Sequence, residues 1–387
     1  MKKLLLAFFV ITAGLTSLTG FAQQKMLLPN GWTLSPAGQS FPLGDLPLNI
    51  AVAPSGKLMA VTNNGQSVQS IQLIDPVKEK ILDVAEVKKA WYGLKFSRDG
   101  KYLFASGGND NWILQYAIKK RKLILKDSIK LGDKWPEKIS PAGIDLDEVA
   151  GKLYVVTKEN NSLYVVDLSS KKILQQYRLP DAAYSCLLSP DKKELYISVW
   201  GAGKVLLFNT ASQTISGEIT VQENPNELLL SGNGKILYVA NAGDNSVSVI
   251  DVTARKVIEV LHTALYPDAP TGSSSNGLAL SQDEKTLFVA NADNNCLAVF
   301  DISKPGFSHS KGFIPVGWYP TNVKVLRKKI FVTNGKGFSS RPNAKGPDPT
   351  KHDQEVNYQH GDYKSKQSRI EYIGGLFKGT MSVINIP

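Results

Sequence analysis

The sequence is poor in the residues that carry most protein chemistry. Its 387 residues include two cysteines, Cys186 and Cys296, and four histidines. Two thiols cannot build the disulfide framework of a small secreted domain, so stability has to come from an apolar core, which a chain of this length can bury. The two cysteines fall on strands of different frame, which argues against a bridge between them. Also missing are a Gly-x-Ser-x-Gly nucleophile elbow, a phosphate-cradling Walker loop, a Cys-x-x-Cys pair and a His-Glu-x-x-His metal helix. His262 and His309 have no partner at ligand spacing. His352, Asp353, His360 and Asp362 crowd one segment, but polar residues in a loop are a sufficient account of them. No catalytic residue, metal or cofactor is expected on these grounds.

Long apolar runs are equally scarce. The one example is Leu4 to Leu18, preceded by Lys2 and Lys3 and followed by Gly20-Phe21-Ala22, with small residues at both specificity positions of a cleavage site. It is shorter than the roughly 20 residues a membrane span needs and is broken by Thr12, Gly14, Thr16 and Ser17. This is the pattern of a secretory signal peptide over residues 1–22, with a mature protein from Gln23. No cysteine follows the run, so a lipid anchor is not expected, and the destination is the periplasm or the cell exterior. Acidic residues are in deficit, 34 against 45 basic, for a net charge of +11 that becomes +9 without Lys2 and Lys3. Such a balance favours acidic partners or surfaces without naming one.

A helical period is absent too, and in its place one pattern recurs seven times. An apolar strand is followed by a turn ending in lysine and a second strand of the type Leu-Tyr-Val-Ala-Asn. The turn lysines are Lys57, Lys101, Lys152, Lys193, Lys235, Lys285 and Lys329, spaced by 44, 51, 41, 42, 50 and 44 residues. A period of about 40–50 residues belongs to propeller blades. A third strand such as Ser246 to Asp251 or Cys296 to Asp301 follows, then a fourth such as Lys256 to Leu261, with side chains alternating at period two. The fold expected is all-β: a seven-bladed β-propeller of four-stranded antiparallel blades.

The seventh unit lacks a fourth strand after Met381 to Ile386, whereas Trp32 to Leu43 is strand-like and has no blade of its own. That N-terminal segment is predicted to close the ring as the outer strand of the last blade, removing two open sheet edges. The seventh unit also carries an insertion of about 40 residues, roughly Lys336 to Leu376, relative to the spacing in the fifth. Loops of that length are commonly functional or disordered. This one is basic through Arg341, Lys345, Lys351, Lys364, Lys366 and Arg369, and carries Tyr358, Tyr363 and Tyr372.

The signature Tyr238-Val239-Ala240-Asn241 with Ser246-Val247-Ser248-Val249-Ile250-Asp251 resembles the bacterial Tyr-Val-Thr-Asn-repeat (YncE-like) β-propellers, over about residues 27–387. Asp45 to Asn49, Ala264 to Pro270, Gly317 to Thr321 and Tyr372 to Gly379 resemble more closely the propeller half of two-domain proteins whose second half is an alkaline-phosphatase-like phosphoesterase. No residue of that catalytic half lies in this sequence, so none of its chemistry is carried over. The resemblance implies a phosphoesterase domain as one conceivable partner.

Alternating strands send the inter-blade loops and the loops between second and third strands to one face, the top. The sequence places Asn49, Trp91, Tyr92, Tyr184, Asn226, Asn276 and Asn322 there from the first set. Trp200, Asn241 and Asn291 come from the second, along with Asn63, Asn64, Asn109, Asp244 and Asn334. Amides and aromatics round a funnel suit a small-ligand site, although Asn and Gly at strand ends also simply make turns. Trp200, followed by Gly201 and Gly203, is the best candidate for contact with a ligand. The run Lys119 to Lys122 falls on the other face and reads as a solvated turn, and export argues against nucleic acid. The function expected is an exported, non-catalytic scaffold that binds an unidentified ligand or envelope protein. The competing expectation is an enzyme, either part of a phosphoesterase or a propeller lactonase.

Overall fold

Period-two alternation and tight polar corners produce antiparallel hairpins, and the corners are wired alike. Ser97 Oγ donates to Asp99 Oδ1 at 2.7 Å and accepts from Tyr102 N–H at 2.9 Å, closing the turn between first and second strands. Ser189 with Asp191, Ser231 with Asn233 and Ser281 with Asp283 repeat the first of these bonds. At the far end of the third strand an aspartate accepts the next turn's amides, as Asp75 does from Val77 and Lys78 at 2.9 and 3.0 Å. These short-range bonds are why the repeat reads so clearly as sequence.

The computed structural model describes residues 26–134, 136–352, 354–357 and 369–386. It contains seven four-stranded antiparallel sheets arranged as a propeller ring. Blades 1 to 6 occupy residues 47–86, 94–130, 141–178, 183–220, 225–262 and 275–315, with strands in chain order from the channel outward. Blade 7 takes Trp318–Leu326, Lys329–Gly337 and Thr380–Asn385 from the end of the chain and its outer strand, Gln39–Pro42, from the beginning. Closure by the N-terminal segment is therefore as expected, but only its second half takes part. Gln39 pairs with Val383 and Pro42 with Thr380. Thr33–Leu34 instead forms a small hairpin with Met26–Leu27, turned at Asn30-Gly31, where Gly31 has φ +83°. Pro36 and the positive φ of Gly38 (+72°) separate the two halves.

The interruption in blade 7 falls between Gly337 and Thr380, slightly later than the sequence spacing places it. Of its candidate metal cluster only His352 lies among the described residues, and Tyr358, Tyr363, Lys364 and Lys366 lie outside them, as does the expected signal peptide. Among the described residues no helix is long and apolar enough to cross a membrane.

Seven apolar clusters fill the seven blade junctions. The 7–1 cluster joins Phe331, Met381 and Val383 to Ile50, Met59, Val61 and Ile74, with Leu43 beside them. Phe331 is 1% exposed, so Phe331→Ala is expected to destabilise the protein by about 3–5 kcal/mol. Chemical denaturation of the variant checks this, and a loss under 1 kcal/mol would mean the ring closes without that junction.

Candidate functional site

The innermost strands line the central channel, and most begin with a bulge. Register slips between Pro47 and Ile50, Pro141 and Ile144, Ala183 and Ser185, Pro225 and Leu228, and Ser275 and Leu278. A bulge re-aims side chains, and here it turns polar groups toward neighbouring blades. Asn49 Nδ2 donates to Tyr92 O at 2.8 Å, tying blade 1 to blade 2. Asn226 Nδ2 reaches Asn276 Oδ1 at 2.9 Å, tying blade 5 to blade 6. Asn322 Nδ2 contacts Asn49 Oδ1 at 3.3 Å, tying blade 7 to blade 1.

Two ion pairs extend this stitching. Lys95 Nζ in blade 2 lies 2.7 Å from Asp145 Oδ1 in blade 3, and the other Asp145 oxygen accepts from Leu188 N–H in blade 4 at 2.8 Å. In blade 5, Glu227 accepts from Asn322 Nδ2 at 2.7 Å and from Lys324 Nζ at 2.5 Å, both in blade 7. Gly277 of the intervening blade 6 packs directly on the blade 7 backbone, where a Cβ would lie 2.5 Å from Asn322 Cα. Burial pushes the Glu227 carboxyl above the usual carboxylate range, against the opposing pull of Lys324 and Asn322. Burial works to lower the Lys95 ammonium, but Asp145 outweighs it and the pKa is raised. The Tyr92 and Tyr184 rings sit 4.6 Å apart, tilted by 49°. Burial drives both hydroxyls upward, reinforced by the Glu227 charge.

Above these groups the mouth is aromatic and cationic. The Lys158 ammonium stands 5.0 Å from the Trp91 ring and 3.7 Å from Glu159 Oε1. Lys336 stands 4.3 Å from the ring of Tyr319 and within 6 Å of Trp318 and Phe377, which themselves meet edge-on at 5.4 Å. This cluster pins together the two ends of the blade 7 interruption. Trp200 is 45% exposed at the same rim.

Residues 15–328 match the family model described as the YncE-like β-propeller. The chain belongs to the YncE-like β-propeller family. It is 27% identical over 184 residues to antigen Lp49 of Leptospira interrogans, a match covering 41% of this chain and 37% of that protein. It is 27% identical over 97 residues to YncE of Salmonella typhimurium, itself described as uncharacterized, covering 25% of this chain and 27% of the relative. The matched stretches thus span well under half of these relatives. Among solved structures, a chain of Kuenenia stuttgartiensis hydrazine synthase superposes with a TM-score of 0.61 over 75% of this chain and 93% of its own, at 18% identity. That likeness concerns the fold alone.

Within this YncE-like ring the expected site residues separate into three groups. Asn49, Tyr92, Tyr184, Asn226, Asn276 and Asn322 converge on the channel, but Asn49, Tyr92, Asn226 and Asn322 are buried and bonded to other blades. Asn241 and Asn291 are fully buried and offer no surface to a ligand. Asn241 Nδ2 bonds the Ser246 and Ser248 hydroxyls at 3.0 Å each, and Asn291 Nδ2 bonds Thr263 O at 2.7 Å. Asn241 is therefore part of its blade's own wiring, as Asn63 and Asn334 are, whereas Asn291 ties blade 6 to the segment that leaves blade 5. Trp91 is half-buried and Trp200 is exposed at the mouth. Lys95, Asp145, Glu227 and Lys324 were not anticipated, although a charge inside an otherwise apolar inner strand was the available signal. Both cysteines are free and buried, and burial carries the Cys296 thiol up to about 12.

Removing one partner of a buried ion pair strands the other charge. Glu227→Gln is expected to cost about 3 kcal/mol, the low end of the usual range of about 3–5, since Lys324 keeps some solvent contact. Glu227→Met combined with Lys324→Met should recover most of that loss in a double-mutant cycle, whereas additive losses would show that the pair is not coupled. The pH dependence carries a sign as well. The folded carboxyl titrates above its unfolded value of 4.5, so this group's contribution to stability declines as pH rises from there through the folded value. That decline should be missing in Glu227→Gln when unfolding free energy is followed across the interval.

Proposed function

We propose that this propeller is an exported, non-catalytic binding module that takes a ligand or an envelope protein at the mouth of its channel. One observation carries the reading. The channel carboxylates, Asp145 and Glu227, are each engaged by a lysine and by a second hydrogen-bond donor of another blade, Leu188 N–H for Asp145 and Asn322 Nδ2 for Glu227, leaving neither free for acid–base work. What faces solvent above them is indole and ammonium: Trp200, Trp91 with Lys158, and the Lys336 cluster. Aromatic faces and cations at a rigid rim are suited to holding a partner and not to transforming it. Export rests on the charged and apolar N-terminus. The blade 7 interruption, anchored through Trp318 and Phe377, belongs to the same contact surface.

The test is a thermal-melt screen of the protein from Gln23 against phosphate esters, lactones, metals and envelope glycans, beside Trp200→Ala. A bound compound at a hundred times its Kd should stabilise by about 2.7 kcal/mol, and Trp200→Ala should abolish that rise. Steady turnover of a phosphate ester or lactone by the purified protein would overturn the reading.

A further inference from the structure

The face opposite the mouth carries a feature that ring closure creates. In blades 1, 5 and 6 the outer strand starts opposite the acidic residue ending the third strand: Asp75 pairs with Lys80, Asp251 with Lys256, and Asp301 with His309. In blade 7 the pairing stops at Val383 opposite Gln39. Ahead of Gly38 the chain leaves for blade 6, where Ala37 N–H donates to Pro315 O at 2.9 Å. Ile386 N–H donates inward to Lys328 O at 2.8 Å. By the alternation of an antiparallel ladder, Asn385 turns its own N–H and C=O outward, on the same side as Val383. Among the described residues no strand meets them there.

Beside this open edge lies a largely apolar cleft of about 410 Å³, lined by Pro76, Val77, Leu326, Phe331 and Ile386 together with residues of the Arg327–Lys329 turn. Val77, 57% exposed, is the ridge between it and a second cleft of about 470 Å³ that includes Lys57, Lys78 and Arg121. The local acids are already engaged, Glu79 by Lys329 and Asp75 by Arg121. Lys57, Lys78, Arg327 and Lys328 are exposed and have no carboxylate at ion-pair distance among the described residues.

We infer that this closure cleft binds an extended acidic polypeptide segment, which adds as a short strand beside Asn385. It sets apolar side chains against Val77, Leu326 and Ile386 and places its carboxylates among Lys57, Lys78, Arg327 and Lys328. Three features select a polypeptide over other occupants. An open strand edge is satisfied by main-chain hydrogen bonds. The apolar cleft takes alternate side chains, and uncompensated cations at its rim set the charge of the flanks. The site lies on the face away from the channel mouth, so its failure leaves the reading of the mouth intact.

The experiment is fluorescence anisotropy with a labelled peptide, Asp-Glu-Ile-Thr-Val-Asp-Glu, against the whole protein, beside the same peptide with every acid replaced by lysine. Saturable binding of the acidic peptide is expected, at least tenfold weaker in Arg327→Glu with Lys328→Glu and in Val77→Asp. Lys192→Glu with Lys193→Glu, at the equivalent turn of blade 4, should bind as the parent does. Hydrogen exchange at residues 383–386 should slow on binding. The exposed lysine and arginine variants carry the test should Val77→Asp fail to fold. Equal binding of both peptides, or unchanged binding in the turn variants, would overturn the inference. So would binding only to phosphatidylglycerol vesicles, which would make this face a membrane contact.

Discussion

Everything in this molecule depends on closing a circle from sheets that each have two faces to bury. A blade of four strands covers one face with the blade before it and the other with the blade after it, so six junctions form as the chain proceeds and the seventh forms only when the ends meet. Phe331, Met381 and Val383 supply one side of that last junction, and Ile50, Met59 and Val61 the other. Gln39–Pro42 then pairs with Thr380–Val383, hydrogen-bonding the beginning of the chain to its end. The cooperativity of the ring follows, because opening any junction exposes two apolar faces.

The channel shows the same constraint in polar form. Each inner strand has a free edge toward the axis, and an unpaired polar group near it is costly once water is restricted. The chain answers with a circle of bonds. Asn49 joins blades 1 and 2, Lys95 with Asp145 runs through blades 2 to 4, and Ser198 Oγ donates to Asn226 O at 2.7 Å between blades 4 and 5. Glu227 spans blades 5 to 7, and Asn322 returns to Asn49. Residues that look like a binding site when read singly are, in this ring, mostly fasteners. The surfaces left over lie at the two ends of the channel: an aromatic and cationic mouth, and a basic closure seam beneath blades 7 and 1.

How much of this was legible depends on the range of the interaction involved. The blades, their number and the N-terminal closing strand could be read from residues a few positions apart: the Ser-x-Asp corners, the alternation of strands such as Leu287 to Asn291, and the turn lysines. The division of Trp32 to Leu43 was missed because Asn30-Gly31 makes a competing hairpin and Gly38 turns the chain away, details of φ that a strand-like composition does not reveal. Asn241 and Asn291 looked like site residues because both lie at loop edges, yet the Asn241 amide is consumed by hydroxyls of its own blade and the Asn291 amide by Thr263 O, in the segment leaving blade 5.

The sequence alone determined that this protein is a closed seven-bladed ring, because its repeat is written in local hydrogen bonds and in period-two burial, both of which are properties of neighbouring residues. Only the tertiary structure decided which polar residues face a partner and which face one another. Glu227 and Lys324 are 97 residues apart, with the whole of blade 6 between them in the chain. No local pattern encodes that encounter, since it exists only once seven twisted sheets have been brought round a common axis.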